Sequence, residues 1–379
     1  MEFRDLKKQY QVLKNKIDKA MTDAAASGEY IMGKQVKELE ASLSEYVGSK
    51  YCIACANGTD ALTMSLMTWG IGKGDAVFVP DFTFFATAEV VSLEGATPVF
   101  VDADADTFNI DPYKLEEAIK KVKSDGKLTP RAIIPVDLFG LSANYPEIIR
   151  IADKYELLVL EDGAQGFGGT INGKKVCSFG DISITSFFPA KPLGCYGDGG
   201  AIFTDNDEYA KIINSLKVHG KGSSKYDNVR IGLNSRLDTI QAAILQVKFE
   251  AFTEYELDKV NEAASLYSKN LEGIVKTPVI PEGYFSSWAQ YTITLKSREE
   301  RDGLQAYLKA NSIPSMVYYP KPMHMQTAYK DFGYGEGDFP VAEMLCDCVL
   351  SFPMHPYITE DEIGEVCDRV KAYVVKRLQ

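Results

Sequence analysis

Between residues 51 and 160 the chain alternates between two kinds of segment. Apolar runs at 51–55, 76–79, 98–101, 132–136 and 157–160 predict buried strands. Segments 61–69, 86–93, 112–122 and 145–155 carry apolar residues at helical spacing and predict helices between those strands. Strands that take turns with helices build βαβ units, and these close into a mostly parallel sheet covered by helices on both faces. In such sheets ligands bind beyond the carboxyl ends of the strands. The residues that follow each strand are therefore the first place to look for chemistry.

The flanking segments complete an α/β architecture. Helix 7–27 carries Tyr10, Leu13, Ile17 and Met21 on one stripe and stops at Gly28. Helix 34–47 turns Val36, Leu39, Leu43 and Val47 inward and stops at Gly48. Beyond residue 234 the pattern predicts helices 237–252 and 255–271. From about 275 it predicts a smaller α+β region with strands 290–295, 315–318 and 348–352 and helices 299–311 and 360–376. This divides the 379 residues into a large domain over 1–250 and a linking helix with a small α+β domain over 251–379.

Charge and cysteine usage exclude several classes. A net charge of −12 argues against general nucleic-acid binding, though a local basic pocket still suits an anionic small molecule. No apolar run approaches the roughly 18 residues of a membrane span, and MEFRDLKKQY lacks the apolar core of a signal peptide. The expectation is a cytoplasmic protein. Cys52 and Cys55 form a C-x-x-C inside a predicted strand, where residues three apart face opposite ways. They and the other five cysteines read as reduced core thiols, and His219, His324 and His355 form no metal motif, so no metal is expected.

Four places stand out at strand ends. Ala56-Asn57-Gly58-Thr59-Asp60 links a strand to a helix start, whose open N–H groups suit a phosphate; the same residues also make an ordinary capping turn. Phe84 lies past the next strand, free to stack on a flat ligand or to join the core. Asp162 follows strand 157–160, where a carboxylate either caps a turn or holds a proton on a ring nitrogen. Lys191 sits in 183–200, SITSFFPAKPLGCYGDGG, between predicted strands 182–188 and 201–204. Pro189 and Pro192 stiffen its surroundings, and four glycines follow closely. It is either a surface lysine on a hairpin or an amine presented to a carbonyl cofactor. Together with the Ser186 hydroxyl, these residues supply what pyridoxal 5′-phosphate needs: phosphate donors, a flat wall, a carboxylate and an amine.

CANGTDAL at 55–62, FTFFATAE at 82–89, EDGAQGFG at 161–168, SFFPAKPLGCYGDGGA at 186–201 and NSRLDTIQAAIL at 234–245 closely resemble, in order and spacing, the DegT-type nucleotide-sugar aminotransferases. These are pyridoxal-phosphate enzymes of fold type I, and the likeness covers nearly the whole chain. It implies that Lys191 bonds the cofactor and shuttles protons, and that Asp162 pairs with the pyridine nitrogen. It implies further that Gln165 meets the ring's phenolic oxygen, that Phe84 stacks on one ring face with Ala164 near the other, and that Gly58, Thr59 and Ser186 bind phosphate. Asn234 would reach the phosphate of a partner subunit, which implies a homodimer with shared active sites. The segment 217–236 holds five basic residues and His219, unusual in an acidic chain. It reads as a basic flap with Arg230 as a substrate contact, or as a solvated loop. Tyr319 and His324 fall where the family lines its sugar pocket. His355 suits a turn as well as a contact. Where relatives carry His-Tyr-Pro this chain has Tyr318-Tyr319-Pro320.

The resemblance implies transfer of an amino group from L-glutamate to a keto group of a nucleotide-linked sugar. C3 of a UDP-linked 2-acetamido-3-keto sugar or uronic acid is the first choice, in bacterial surface-glycan synthesis. Amination at C4 of a 4-keto-6-deoxy sugar is the alternative. Sugar deoxygenation is disfavoured because relatives with that activity carry histidine in place of Lys191, and a non-catalytic regulator finds no helix-turn-helix or basic domain here.

Overall fold

The computed structural model describes residues 1–224 and 226–378. Twelve helices occur among them: α1 (Leu6–Ser27), α2 (Lys34–Val47), α3 (Gly58–Thr68), α4 (Ala86–Leu93), α5 (Pro112–Asp125), α6 (Tyr145–Tyr155), α7 (Asp207–Leu216), α8 (Thr239–Ala251), α9 (Leu257–Leu271), α10 (Arg298–Ala310), α11 (Pro340–Cys348) and α12 (Glu360–Leu378). The strands are β1 (Tyr51–Cys55), β2 (Asp75–Pro80), β3 (Thr97–Val101), β4 (Thr129–Ile133), β5 (Leu158–Asp162), β6 (Thr170–Ile171), β7 (Lys174–Lys175), β8 (Ile182–Ser186), β9 (Gly200–Thr204), β10 (Tyr284–Phe285), β11 (Tyr291–Thr294) and β12 (Val349–Phe352).

Seven strands form the main sheet in the order β1-β9-β8-β5-β4-β2-β3. From β8 to β3 neighbouring strands run parallel, while β9 lies antiparallel to both β8 and β1. The expected mixed, mostly parallel α/β sheet is what the chain forms. Its strands are buried on both faces, as a helix-covered sheet requires. Val77 and Val79 enter one core with Ile53, Ile184 and Ile202, while Ala76 and Phe78 enter another with Ile119 and Ile148. The period-two rule also separates the C-x-x-C pair: Cys52 joins one core and Cys55 a different one, and all seven cysteines are free and buried.

Local signals explain most of the boundaries. Asp5 accepts from the Lys8 amide at 2.8 Å and caps α1, Asp111 caps α5 ahead of Pro112, and Asn206 caps α7. Gly28 and Gly48 close α1 and α2 in the left-handed conformation, as expected of helix-ending glycines. α8 and α9 continue one another through a π-helical turn at Phe252–Glu256. β11 and β12 pair antiparallel and, with α9, α10 and α12, enclose a second core around Tyr267, Tyr291 and Phe352. The chain between them returns to the main sheet, where Met323, Ala342 and Leu345 join the core shared with Val79.

Several expected boundaries need correction. No strand forms at 315–318; Met316 makes a single bridge to Ser351 and the chain then turns away. The strand expected at 182–188 ends at Ser186, because the next residues turn before Pro189. Helices α7 and α11 were not anticipated. No helix is long and apolar enough to cross a membrane among the described residues.

Candidate active site

The carboxyl ends of β5 and β8, the start of α3 and the loop after β2 converge on one cavity of about 430 Å³. Gly58, Thr59, Phe84, Asp162, Ala164, Gln165, Ser186, Lys191 and Tyr319 all line it. Of the twelve site positions read from the sequence, nine are thus brought together.

The floor is β5. Its last two residues are both carboxylates, and a strand points them to opposite sides. Glu161 faces inward, fully buried, and accepts from the Cys177 and Phe179 amides at 2.6 and 2.7 Å and from the Ser183 hydroxyl at 2.7 Å. Asp162 faces the cavity with only 5% of its surface exposed. Its Oδ2 accepts from the Thr87 hydroxyl at 3.0 Å and its Oδ1 from the Ala164 amide at 3.2 Å. Burial pushes its carboxyl up, and the nearby Lys191 and these two donors pull against that.

Lys191 enters from the turn after β8, where its amide donates to the Phe188 carbonyl at 2.8 Å. Burial brings its amine down to about 8, with Asp162 opposing and Arg4 adding to the fall. An amine near 8 is partly unprotonated at neutral pH and is a usable nucleophile.

A cup for an anion lies at the start of α3. Asn57, not Thr59 or Asp60, is the cap: its side chain accepts from the Asp60 amide at 2.7 Å, and its carbonyl takes the Ala61 amide. Gly58 and Thr59 are left at the cavity wall beside Ser186. The backbone here is close-packed. A Cβ on Gly58 would stand 2.9 Å from that of Ser186, and one on Gly200 would stand 2.6 Å from the Asn57 carbonyl.

Phe84 keeps 54% of its surface exposed and lies 6.2 Å from the Tyr319 ring, at the mouth of the cavity rather than in the core. Gln165 is buried and spans two partners: its Oε1 accepts from the Phe139 amide at 2.8 Å and its Nε2 donates to the Tyr319 hydroxyl at 3.1 Å. Burial drives the Tyr319 phenol up, so it stays protonated.

Three expected residues lie elsewhere. His324 does not line the cavity. Its side chain is wholly buried, Nδ1 meets Asp81 Oδ2 at 2.7 Å, and its amide donates to Asp81 Oδ1 at 2.8 Å. It pins the 323–325 turn to the residue that follows β2, a structural task that a proline-rich context conceals. Arg230 and Asn234 are exposed on the segment after α7, outside this cavity. That segment folds back on itself through His219 and Leu233, and Asn234 accepts from Arg236. Lys225, counted in the basic flap, lies outside the described residues. Thr87, in the first turn of α4, also escapes the sequence reading, although it lies four residues past Thr83 of the preceding loop and shares a hydrogen bond with it at 3.2 Å.

The arrangement fits pyridoxal 5′-phosphate on the structure's own terms. A carboxylate with two donors faces a buried amine of lowered basicity, an aromatic ring stands bare at the mouth, and a tight cup opens at a helix start. A sheet and a site of this kind are those of a pyridoxal-phosphate enzyme. Residues 11–371 match the model of the DegT/DnrJ/EryC1/StrS aminotransferase family, and the chain belongs to that family. It is 46% identical to a UDP-2-acetamido-2-deoxy-3-oxo-D-glucuronate aminotransferase of Pseudomonas aeruginosa, covering 97% of this chain and 98% of that one. It is 41% identical to a pleiotropic regulatory protein of Geobacillus stearothermophilus, covering 97% of each. It is 40% identical to a UDP-N-acetyl-3-dehydro-α-D-glucosamine 3-aminotransferase of Acidithiobacillus ferrooxidans, covering 97% of this chain and 96% of that one. Among solved structures, a family member from Brucella abortus superposes with a TM-score of 0.96 at 49% identity, covering 99% of both chains. The PLP form of a Streptococcus pneumoniae sugar aminotransferase superposes with a TM-score of 0.89 at 26% identity, covering 96% and 97%.

Proposed function

We propose that this enzyme moves the amino group of L-glutamate onto C3 of a UDP-linked 2-acetamido-2-deoxy-3-keto sugar or its uronic acid, for bacterial surface-glycan synthesis. Its cofactor is pyridoxal 5′-phosphate. When bound, the cofactor supplies an electron sink for the carbon that gains or loses a proton. The observation that carries the transamination in this reading is the placement of the Lys191 amine in the same cavity as the buried Asp162.

In this reading Lys191 would hold the cofactor, and its amine would move the proton at the donor or acceptor carbon. Asp162, fixed by Thr87 and the Ala164 amide, holds a proton on the ring nitrogen. Gly58, Thr59 and Ser186 take the phosphate, and Phe84 and Ala164 flank the ring. Gln165 orients the Tyr319 hydroxyl and meets the ring oxygen, and Tyr319 faces the sugar. Arg230 serves the nucleotide diphosphate, and Asn234 serves the phosphate of a partner subunit in a homodimer that shares its sites. Support for the homodimer comes from Ile231, 86% exposed three residues before Asn234, and from Ile31, 48% exposed and bridged to Asp238. Apolar side chains this bare, so close to an Asn234 that lies outside the Lys191 cavity, fit a covered surface. Placement in the cytoplasm follows from the substrates proposed.

The position of amination rests on the two 3-keto relatives, since Tyr318 and Tyr319 suit a sugar at C3 or C4 alike. The regulatory name of one relative is outweighed by the complete lysine and carboxylate pair. Purified protein incubated with a UDP-2-acetamido-3-keto sugar and glutamate tests the proposal. The 3-amino sugar and 2-oxoglutarate should form in equal amounts by mass spectrometry. Turnover only with a 4-keto-6-deoxy sugar, or with neither, overturns it.

A further inference from the structure

Residues 1–5 run across three parts of the molecule before α1 begins. Met1 packs on the core of the C-terminal unit, and the Phe3 carbonyl accepts from the Met354 amide at 3.1 Å. The Phe3 ring meets Tyr318, one wall of the cavity, edge-on at 6.2 Å. Arg4 then reaches the lysine loop. Its guanidinium donates to the main-chain carbonyl of Lys191 at 2.8 Å and approaches that of Pro192 at 3.5 Å.

These carbonyls need an outside donor. They lie past the end of β8, and Pro192 has no N–H with which to build a local turn. A guanidinium offers several N–H groups in a planar fork and can address both at once. Arg4 is itself anchored electrostatically. Glu256 of the π-turn is buried, accepts from Gln9 Nε2 at 2.9 Å and from the Tyr357 hydroxyl, and raises the basicity of Arg4 against the burial that lowers it to about 10. Lys248 of α8 and His355 also feel Arg4, both towards their neutral forms, and Asp5 acts on His355 in the opposite sense.

We propose that Arg4 is a positioning residue for Lys191, fixing its main chain by the carbonyl contact and coupling it to the C-terminal unit and the Tyr318 wall. A fixed carbonyl fixes the direction of the lysine side chain. The positive charge of Arg4 also lowers the Lys191 amine, alongside burial and against Asp162. The inference rests on Lys191 being the reactive amine.

The test uses the apoprotein as well as the loaded enzyme. Competitive acetylation across pH, read at the Lys191 peptide by mass spectrometry, follows the amine, and stopped-flow absorbance follows capture of added pyridoxal phosphate. In Arg4→Gln the labelling curve shifts to higher pH, and labelling at pH 7 slows about two- to fivefold as one nearby charge is lost. Capture slows about tenfold, the size of one hydrogen bond to a charged group. Arg4→Lys keeps the charge and the wild-type labelling curve but loses the fork, so capture still slows. Arg4→Gln with the wild-type labelling curve and capture rate overturns the inference, even where its melting temperature falls. Should Arg4→Gln fail to fold, Arg4→Lys decides, and a wild-type capture rate in it overturns the inference. Borohydride reduction and peptide mapping of the wild type keep the two readings apart. Label away from Lys191 defeats the site, whereas label on Lys191 with unaltered Arg4 variants defeats the inference alone.

Discussion

Lys191 should cost the apoprotein stability, and Lys191→Met should return it. The amine falls from its ordinary 10.5 to about 8 on folding, chiefly through burial. Because the folded value lies below the unfolded one, the charge is penalised wherever the unfolded chain would hold the proton. The penalty is whole below pH 8, shrinks between about 8 and 10.5, and is gone above that. At 1.36 kcal/mol per pH step it amounts to about 3 kcal/mol at pH 7 and about 1.4 kcal/mol at pH 9.5. The Lys191 residue as a whole is only half-buried although its amine sits inside the cavity, and water reaching it trims the neutral-pH value to about 2–3 kcal/mol. Methionine matches the stem of lysine without the charge, so little packing is lost. Urea unfolding of both apoproteins, at one protein concentration and at pH 7 and 9.5, gives the difference directly. The variant should be more stable at pH 7 by about 2–3 kcal/mol, with the gain roughly halved at pH 9.5. An equal or less stable variant at pH 7, or a gain that ignores pH, refutes the reasoning.

Three further outcomes follow from the geometry. Thr87→Val removes a donor to Asp162 and should weaken cofactor affinity about tenfold in a reconstitution titration, a loss of about 1–2 kcal/mol; unchanged affinity would mean that this hydroxyl does not hold the carboxylate. Glu161→Gln and Asp162→Asn should part company although they are neighbours. The first strands amide donors around a buried group and should lower stability by about 2–4 kcal/mol while cofactor binding survives; the second should lose cofactor with little change in melting, and the reverse pattern would contradict the assignment. Gly200→Ala should fold but bind inorganic phosphate and cofactor poorly by calorimetry, since its Cβ would press on the Asn57 carbonyl; normal binding would show that the cup can yield.

The alternation of strands and helices was legible because parallel strands buried on both faces read as short apolar runs, and the interleaved helices carry their own stripes and caps. What stayed hidden depended on partners distant in sequence. Nothing local says that β9 slips between β1 and β8 in the opposite direction. α7 did carry a signal: Asn206 ahead of two acidic residues, then Ala210, Ile213 and Leu216 on one face. Lys191 and Asp162 could be found because proline-bound and strand-end positions are few. Adjacent carboxylates could not be told apart by composition, and only the strand's period sends Glu161 to the amides and Asp162 to the cavity. His324 misled because a histidine beside prolines looks loop-borne and accessible, while its real partner, Asp81, stands 243 residues away. Arg4 gave no sign at all, since its acceptors are main-chain carbonyls 187 and 188 residues distant.

The whole account turns on which side chain carries the cofactor. Holoenzyme reduced with borohydride, digested and sequenced by mass spectrometry should bear one pyridoxyl group per chain, on the peptide that contains Pro189, Lys191 and Pro192. Modification of any other lysine, or a protein that reduction leaves unlabelled, would contradict it.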